Sequence, residues 1–147
     1  MDLTNTSRLI DSILSVRAAA ALPQTGQSIL FTVTGGRVRL ISIIGAITAN
    51  IGGVANDTQL LFGVTALCAN LNITGAVAGG RFSITGTFGN PLILTLISVP
   101  LASQATTLVL PTGNLILDCD GSDGGAGRIA WTAEYLPLEP GAKMLPA

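Results

Sequence analysis

The sequence predicts an all-β fold, either an antiparallel sandwich or a small jelly-roll-like barrel of about eight or nine short strands. After Pro23 the chain runs in short apolar segments rich in β-branched residues, separated by Gly, Asn and Pro. No helical period occurs in this part of the chain. The last segment alternates cleanly and carries Ile129, Trp131, Ala133 and Tyr135 on one face. Such alternation is typical of a strand with one buried face.

The chain is predicted to have three parts: an N-terminal arm over residues 1–24, a β domain over 25–136 and a C-terminal tail over 137–147. We expect the arm to be partly helical, because apolar residues recur in it at helical spacing and an alanine run follows. These apolar residues are Leu9, Ile10, Ile13 and Leu14. The tail contains several prolines, so it is expected to be an extended strap on a neighbouring subunit, or else a loose end.

The strands of the β domain are predicted from the same punctuation. The first two, 27–34 and 37–50, are expected to form a hairpin, because a Gly-Gly dipeptide separates them. The others are predicted at 58–62, 64–71, 81–88, 92–99, 106–110, 114–119 and 128–136.

The second of these strands has an unusual pattern. It begins by alternating arginines with apolar residues, but from Ile41 onward both faces are apolar. A strand that is apolar on both faces must be covered on both, and in a domain this small another subunit often supplies the second cover. Ile41, Ile43 and Ile47 share the parity of the arginines. We therefore predict that these three isoleucines mediate self-association.

The composition indicates a protein that lives in an assembly. Apolar residues make up 48% of the chain and charged residues only 10%, with a net charge of −1 and a mean hydropathy of +0.63. So little charge gives a lone monomer little protection against association. Nucleic acid is not expected as a partner, because phosphate binding needs clustered Lys and Arg. A membrane is not expected either, because the apolar runs are too short to form a spanning helix.

Nothing in the sequence points to an enzyme, a cofactor or a metal site. Histidine is absent, so the common Ser-His and Cys-His nucleophile pairs cannot form. The acidic stretch from Asp118 to Asp123 is a poor match to a calcium loop and is interpreted as a flexible turn. Cys68 and Cys119 are either buried apolar residues or a disulfide pair.

One alternative binding function also follows from the residues. Trp131 and Tyr135 alternate with Glu134 in the last strand, and together they could line a sugar-binding face. Packing in a core or an interface is the commoner role of such an aromatic pair.

Two stretches of the sequence resemble small structural proteins of tailed bacteriophages. A strand ending in FTVTGG leads into a strand that begins GRV, at residues 31–36 and 36–38. The chain then closes with a strand of the pattern W-T-x-x-Y-x-P-L, at residues 131–138, and a short tail of Ala and Pro. The resemblance extends from Pro23 to the last residue, so the N-terminal arm lies outside it.

The resemblance implies a capsid decoration (cement) protein on the virion surface, made in the host cytoplasm. Its expected partners are the major capsid protein and further copies of itself, with a trimer preferred over a dimer. We expect Leu9, Ile10, Ile13 and Leu14 of the arm to contact the capsid. A small tail or neck protein is the second possibility that the resemblance leaves open.

Overall fold

The computed structural model describes residues 11–147, and this part of the chain is all-β. In chain order the strands are β1 Ile13–Ala21, β2 Gly26–Thr34, β3 Val38–Ala49, β4 Asp57–Phe62, β5 Thr65–Ala66, β6 Leu71–Asn72, β7 Arg81–Ser83, β8 Ile93–Thr95, β9 Leu108–Leu110, β10 Gly113–Cys119, β11 Arg128–Pro137 and β12 Lys143–Pro146. They form two antiparallel sheets of six strands each that do not close into a barrel. The predicted all-β fold is thus confirmed in its sandwich form and not its barrel form, but the described residues form twelve strands and not eight or nine.

The first sheet has the order β1-β11-β3-β7-β8, and β9 pairs with the beginning of β3 beside β7. The second has the order β12-β2-β10-β4-β5, and β6 also pairs with β4. The inner faces of the two sheets enclose one apolar core. Trp131 of β11 and Phe82 of β7 stack within this core, with ring centroids 6.3 Å apart. The two edge strands β1 and β12 lie near each other on the same side of the molecule.

The apolar pattern of β3 results from a β-bulge. Glu134 pairs with Ser42 and Tyr135 pairs with Leu40, so Ile41 is an extra residue with no partner of its own on β11. An extra residue reverses the parity of the strand. Before the bulge Val38 and Leu40 face the core, and after it Ile43 and Ile47 do. The apolar residues before and after Ile41 therefore have opposite parity in the sequence, but they lie on the same inner face of the sheet.

The predicted hairpin between the first two strands is wrong. β2 belongs to the second sheet and β3 to the first, so the glycines between them form a corner that carries the chain across the core. A Cβ at Gly35 would lie 2.2 Å from the carbonyl oxygen of Gly141. Both corner glycines have positive φ, at 74° and 137°. The corner therefore needs glycine for the turn and for its close contact with the C-terminal segment.

The prediction of a helical arm is also wrong for the residues that the structure describes. Residues 13–21 form β1, which pairs with β11 from Ile13–Tyr135 to Ala21–Arg128. Ser15 is buried, whereas Leu14 and Val16 are exposed, as in a strand with one inner face. Leu9 and Ile10 lie outside the described residues.

The tail is in contact with its own domain. Lys143–Pro146 forms β12, which pairs with β2 and buries Met144 in the core. Glu139 forms an ion pair with Arg37, which lies just beyond the glycine corner. This arrangement differs from the strap on a neighbouring subunit that the prolines suggested, because the tail completes the second sheet of the same chain.

Candidate interaction surface

The free edge of β1 is the most exposed apolar strand edge in residues 11–147. We define the β1 edge as residues 11–21 together with their outward-facing side chains. Among the strands of the described residues, β1 pairs with β11 alone and is the last strand of its sheet. Leu14 is 64% exposed and Val16 is 59% exposed, and Ile13 is also exposed. An exposed, apolar edge of this length is a template for pairing with another strand.

Side chains on neighbouring strands continue this apolar surface across the outer face of the first sheet. Val16 lies opposite Thr132, which in turn lies opposite Ile44 of β3. Leu14 lies opposite Glu134, whose carboxylate accepts hydrogen bonds from the Ser12 hydroxyl at 2.6 Å and from the Ser42 hydroxyl at 3.5 Å. The surface is thus apolar at Val16 and polar at Glu134.

Arg17 is the one charged residue of β1, and it faces inward. It lies opposite Trp131, and its Nη2 is 3.5 Å from the Ser28 hydroxyl of the second sheet. Its Nε is buried and has no hydrogen-bond acceptor among the described residues. A buried donor without an acceptor costs about 1–3 kcal/mol, and more when the group is charged. Arg17 therefore has unused hydrogen-bonding capacity at the edge of the sandwich.

A cleft of about 380 Å³ lies on the outer face of the same sheet, beneath the segment that follows β8. Its lining includes Ile41, Ile44, Arg81, Ser83, Gln104 and Glu134. A shallower cleft of about 330 Å³ adjoins it and shares Ser83. Leu96 and Val99 line this second cleft, and together with Ile97 they form an exposed apolar turn after β8.

Two polar atoms of this cleft lack partners in the described structure. The Ser83 side chain is buried, and neither its Oγ nor Oε1 of Gln104 has a hydrogen bond within residues 11–147. Arg81 donates one hydrogen bond, from Nη2 to the Val99 carbonyl at 2.8 Å. The cleft therefore combines apolar isoleucine side chains with a cationic group, Arg81, an anionic group, Glu134, and uncharged hydrogen-bonding groups.

The structure separates the three isoleucines predicted to mediate self-association. Ile43 and Ile47 are fully buried in the core of their own chain, so they cannot form an interface in this fold. Ile41, the bulge residue, is partly exposed and lines the cleft. Of the predicted capsid contacts, Ile13 and Leu14 lie on the exposed β1 edge.

The aromatic pair that suggested a sugar-binding face lies in the core. Trp131 is 1% exposed and Tyr135 is 4% exposed, because both are on the inner face of β11. Neither ring can stack on a sugar in this fold. The alternation in the sequence correctly predicted that these residues share one face of the strand, and in the structure that face packs in the core.

The acidic loop is organised around one buried carboxylate. Asp123 accepts hydrogen bonds from Gln24 Nε2 at 2.7 Å, from the Gly125 amide at 2.9 Å and from the Gly127 amide at 2.6 Å. Burial raises the pKa of Asp123, but these hydrogen bonds outweigh it and hold the pKa below its usual value. The carboxylate thus joins Gln24 to the turn that precedes β11. Residues 11–147 contain no group of three or more His, Cys, Asp or Glu side chains arranged to hold a metal ion.

The two cysteines are free and buried. Cys68 accepts a hydrogen bond from the Leu60 amide, and Cys119 accepts one from the Thr58 hydroxyl. Burial raises the pKa of both thiols, so little reactive thiolate is present at neutral pH. Their role is that of small apolar side chains.

Comparisons with protein-family models, with curated proteins and with solved structures found no match to this chain. The likeness to phage proteins therefore depends on the sequence motifs alone. In the described part of the chain there is also no helix of the length and hydropathy needed to cross a bilayer.

Proposed function

We propose that this protein is a non-enzymatic structural protein of a tailed-phage virion, most specifically a capsid decoration (cement) protein. In this role it is made in the host cytoplasm, binds the outside of the major capsid protein shell as a homo-oligomer and stabilises the shell. The observation that supports the proposal best is the β1 edge, a nine-residue strand with exposed Leu14 and Val16 whose second side pairs with no strand of residues 11–147. The low charge of the whole chain and the motif resemblance agree with it.

The physical case is that this surface gains from being covered. Fully burying a Leu or Val side chain is worth about 1.5–3 kcal/mol, and a strand that pairs with the free edge adds main-chain hydrogen bonds. Symmetry repeats each such contact over a shell, so a modest gain per copy becomes a large gain per particle. Ile13 and Leu14 are the residues we assign to contact with the shell or with neighbouring copies.

Copy number tests the virion assignment. We expect quantitative mass spectrometry of purified particles to find the chain at hundreds of copies, in a simple ratio to the major capsid protein. A handful of copies per particle would instead identify a tail or neck protein. Absence from purified particles would refute both structural roles.

Binding to bare shells tests the surface. Particles that lack the protein are mixed with the wild type or with a variant, and the bound fraction is measured after sedimentation. Leu14→Asp should abolish binding, since it places a charge on the apolar edge. Val64→Asp is the matched control, because Val64 is 98% exposed in a turn of the other sheet. Equal binding by both variants would contradict the assignment of β1.

Recognition of a hydroxyl-rich ligand such as a carbohydrate is a second candidate function, now centred on the cleft. The unpaired Ser83 Oγ and Gln104 Oε1 favour it, because sugar hydroxyls both donate and accept hydrogen bonds. A glycan array identifies any bound sugar. Gln104→Ala should then weaken binding about tenfold, and Gln59→Ala, in the other sheet, should not. A wild-type protein that binds no glycan would exclude this function.

A further inference from the structure

We infer that two copies of this chain pair through their β1 edges, antiparallel and about a twofold axis at Leu14, so that Asp11 of each copy faces Arg17 of the other. The two first sheets then form one continuous sheet of twelve strands. This inference deepens the proposed function, since it names the self-contact of the assembly. It does not depend on which particle surface the protein binds.

The free side of β1 supplies the hydrogen bonds. Within residues 11–147, the main chain of β1 pairs with β11 and with no other strand. An unpaired edge is satisfied either by water or by another strand. Antiparallel pairing about a twofold axis lets one edge serve as both partners, because such an interface is self-complementary.

The charges select the register. In an antiparallel pair with a twofold axis at Leu14, Leu14 of one copy lies opposite Leu14 of the other. Each step away from the axis along one strand is matched by a step in the opposite direction along the second strand, so residue 11 lies opposite residue 17. Asp11 lies two residues before β1, so extending the strand through residues 11 and 12 places Asp11 on the same face as Arg17, six residues later. Opposite charges directly across a strand pair stabilise it, and like charges destabilise it. A twofold axis at Arg17 would instead place two arginines opposite each other.

The proposed register also fits Arg17 and the outer face. The buried Nε of Arg17 lacks an acceptor within residues 11–147, and the exposed carboxylate of Asp11 from a second copy would provide one. On the outer face the two Leu14 side chains meet at the axis, and Val16 lies opposite Ser12 of the second copy. The surface with the greatest apolar exposure in β1 is therefore covered.

The contact spans only about seven residues per copy, which is smaller than a standard protein interface. We therefore expect weak dimers in dilute solution, with a dissociation constant of about 1–100 μM. In a particle the same contact would be reinforced by the simultaneous binding of each copy to the shell.

Disulfide trapping tests the register directly. Leu14→Cys should form a covalent dimer on mild oxidation, because residues directly opposite in an antiparallel pair have Cβ atoms about 4.5–5.5 Å apart. Val16→Cys is the matched control on the same face. In the proposed register the two introduced cysteines, one at position 16 of each copy, would be four residues apart along the strands. That distance is about 13 Å, which is too far for a disulfide. The native cysteines are buried and should stay reduced in both variants.

A charge exchange tests the ion pairs, with sedimentation measuring dimerisation and thermal unfolding measuring the fold. Asp11→Arg and Arg17→Glu should each weaken the dimer about tenfold or more, and the double variant should restore it. A merely structural role of Arg17 predicts no such restoration.

The inference is overturned if Val16→Cys cross-links as readily as Leu14→Cys, if neither cross-links, or if the wild type is a trimer or a strict monomer at concentrations on the order of 100 μM. Each of these outcomes is compatible with a high copy number in particles, so the inference can fail while the proposed function stands.

Discussion

Replacement of Ile43 by alanine tests whether the β3 isoleucines belong to the core. Ile43 is 0% exposed, between the two sheets, so its loss removes apolar contacts and leaves a cavity. Such a change costs about 2–5 kcal/mol out of a total stability of roughly 5–15 kcal/mol. For a domain of nearly this size, each kcal/mol lowers the melting temperature by about 2–4 °C, which gives a decrease of about 4–20 °C.

The neighbouring residue is the control, because the bulge at Ile41 places Ile44 on the outer face, where it is only partly buried. Ile44→Ala should cost about 1 kcal/mol or less. Urea unfolding measures both variants, and Ile43→Val, with an expected cost of about 0.5–1.5 kcal/mol, serves if the alanine variant does not fold. Equal costs for Ile43→Ala and Ile44→Ala would refute the inward orientation of Ile43. So would an Ile43→Ala variant of unchanged stability that had lost only its self-association.

Three further predictions concern the core and the loops. Gly45→Ala should cost about 1–3 kcal/mol in urea unfolding, because its Cβ would lie 2.7 Å from the Trp131 ring, whereas Gly53→Ala, with no atom within 4 Å, should be neutral or slightly stabilising. Asp123 stabilises the fold as its anion, so its contribution is complete above its unfolded pKa of about 3.9 and is lost as the pH falls through its lower folded pKa. Stability measured against pH should therefore decline on the acid side, and Asp123→Asn should flatten that decline and lower stability at neutral pH; parallel curves would contradict this. Both native cysteines should react with a thiol reagent only at the rate of unfolding, and rapid labelling of the folded protein would contradict their burial.

Strands with clear alternation could be predicted from the sequence. The last strand was placed at 128–136 and is found at Arg128–Pro137, with its apolar face buried as expected. The strand at 114–119 was found at Gly113–Cys119. In contrast, the strand predicted at 64–71 consists of two short pairings with β4, and the one at 81–88 ends at Ser83. Local pattern predicts a strand best where a long partner lies on each side, as for β10 and β11.

The errors have physical causes that lie outside local sequence. The sequence shows the change of parity at Ile41, but a β-bulge and a strand covered on both faces produce the same apolar pattern. Only the pairing partner distinguishes them. The Gly-Gly dipeptide predicts a hairpin wrongly, because it specifies a turn but not the sheet in which the next strand lies. The spacing of Ile13, Leu14 and Arg17 suits a helix, but pairing with β11 overrides that preference.

The candidate surface was only partly predictable. Leu14 was singled out from the sequence as a capsid contact on a helical arm, but its place on a strand edge depends on the sheet topology. The cleft could not be anticipated, because it joins Arg81, Gln104 and Glu134 from three distant parts of the chain.

The pairing of β1 with β11 has a consequence for how the protein forms. Ser12 and Glu134 are 122 residues apart and yet share a hydrogen bond, so the first sheet cannot close until β11 has been synthesised. Proteins dominated by such distant pairings fold slowly, in milliseconds to seconds. The chain loses conformational entropy when the large loop closes, before the new contacts stabilise it. Until β11 arrives, β1 lacks its partner among the described strands and β3 has only its short pairings with β7 and β9, so the nascent chain is then most prone to misassociation.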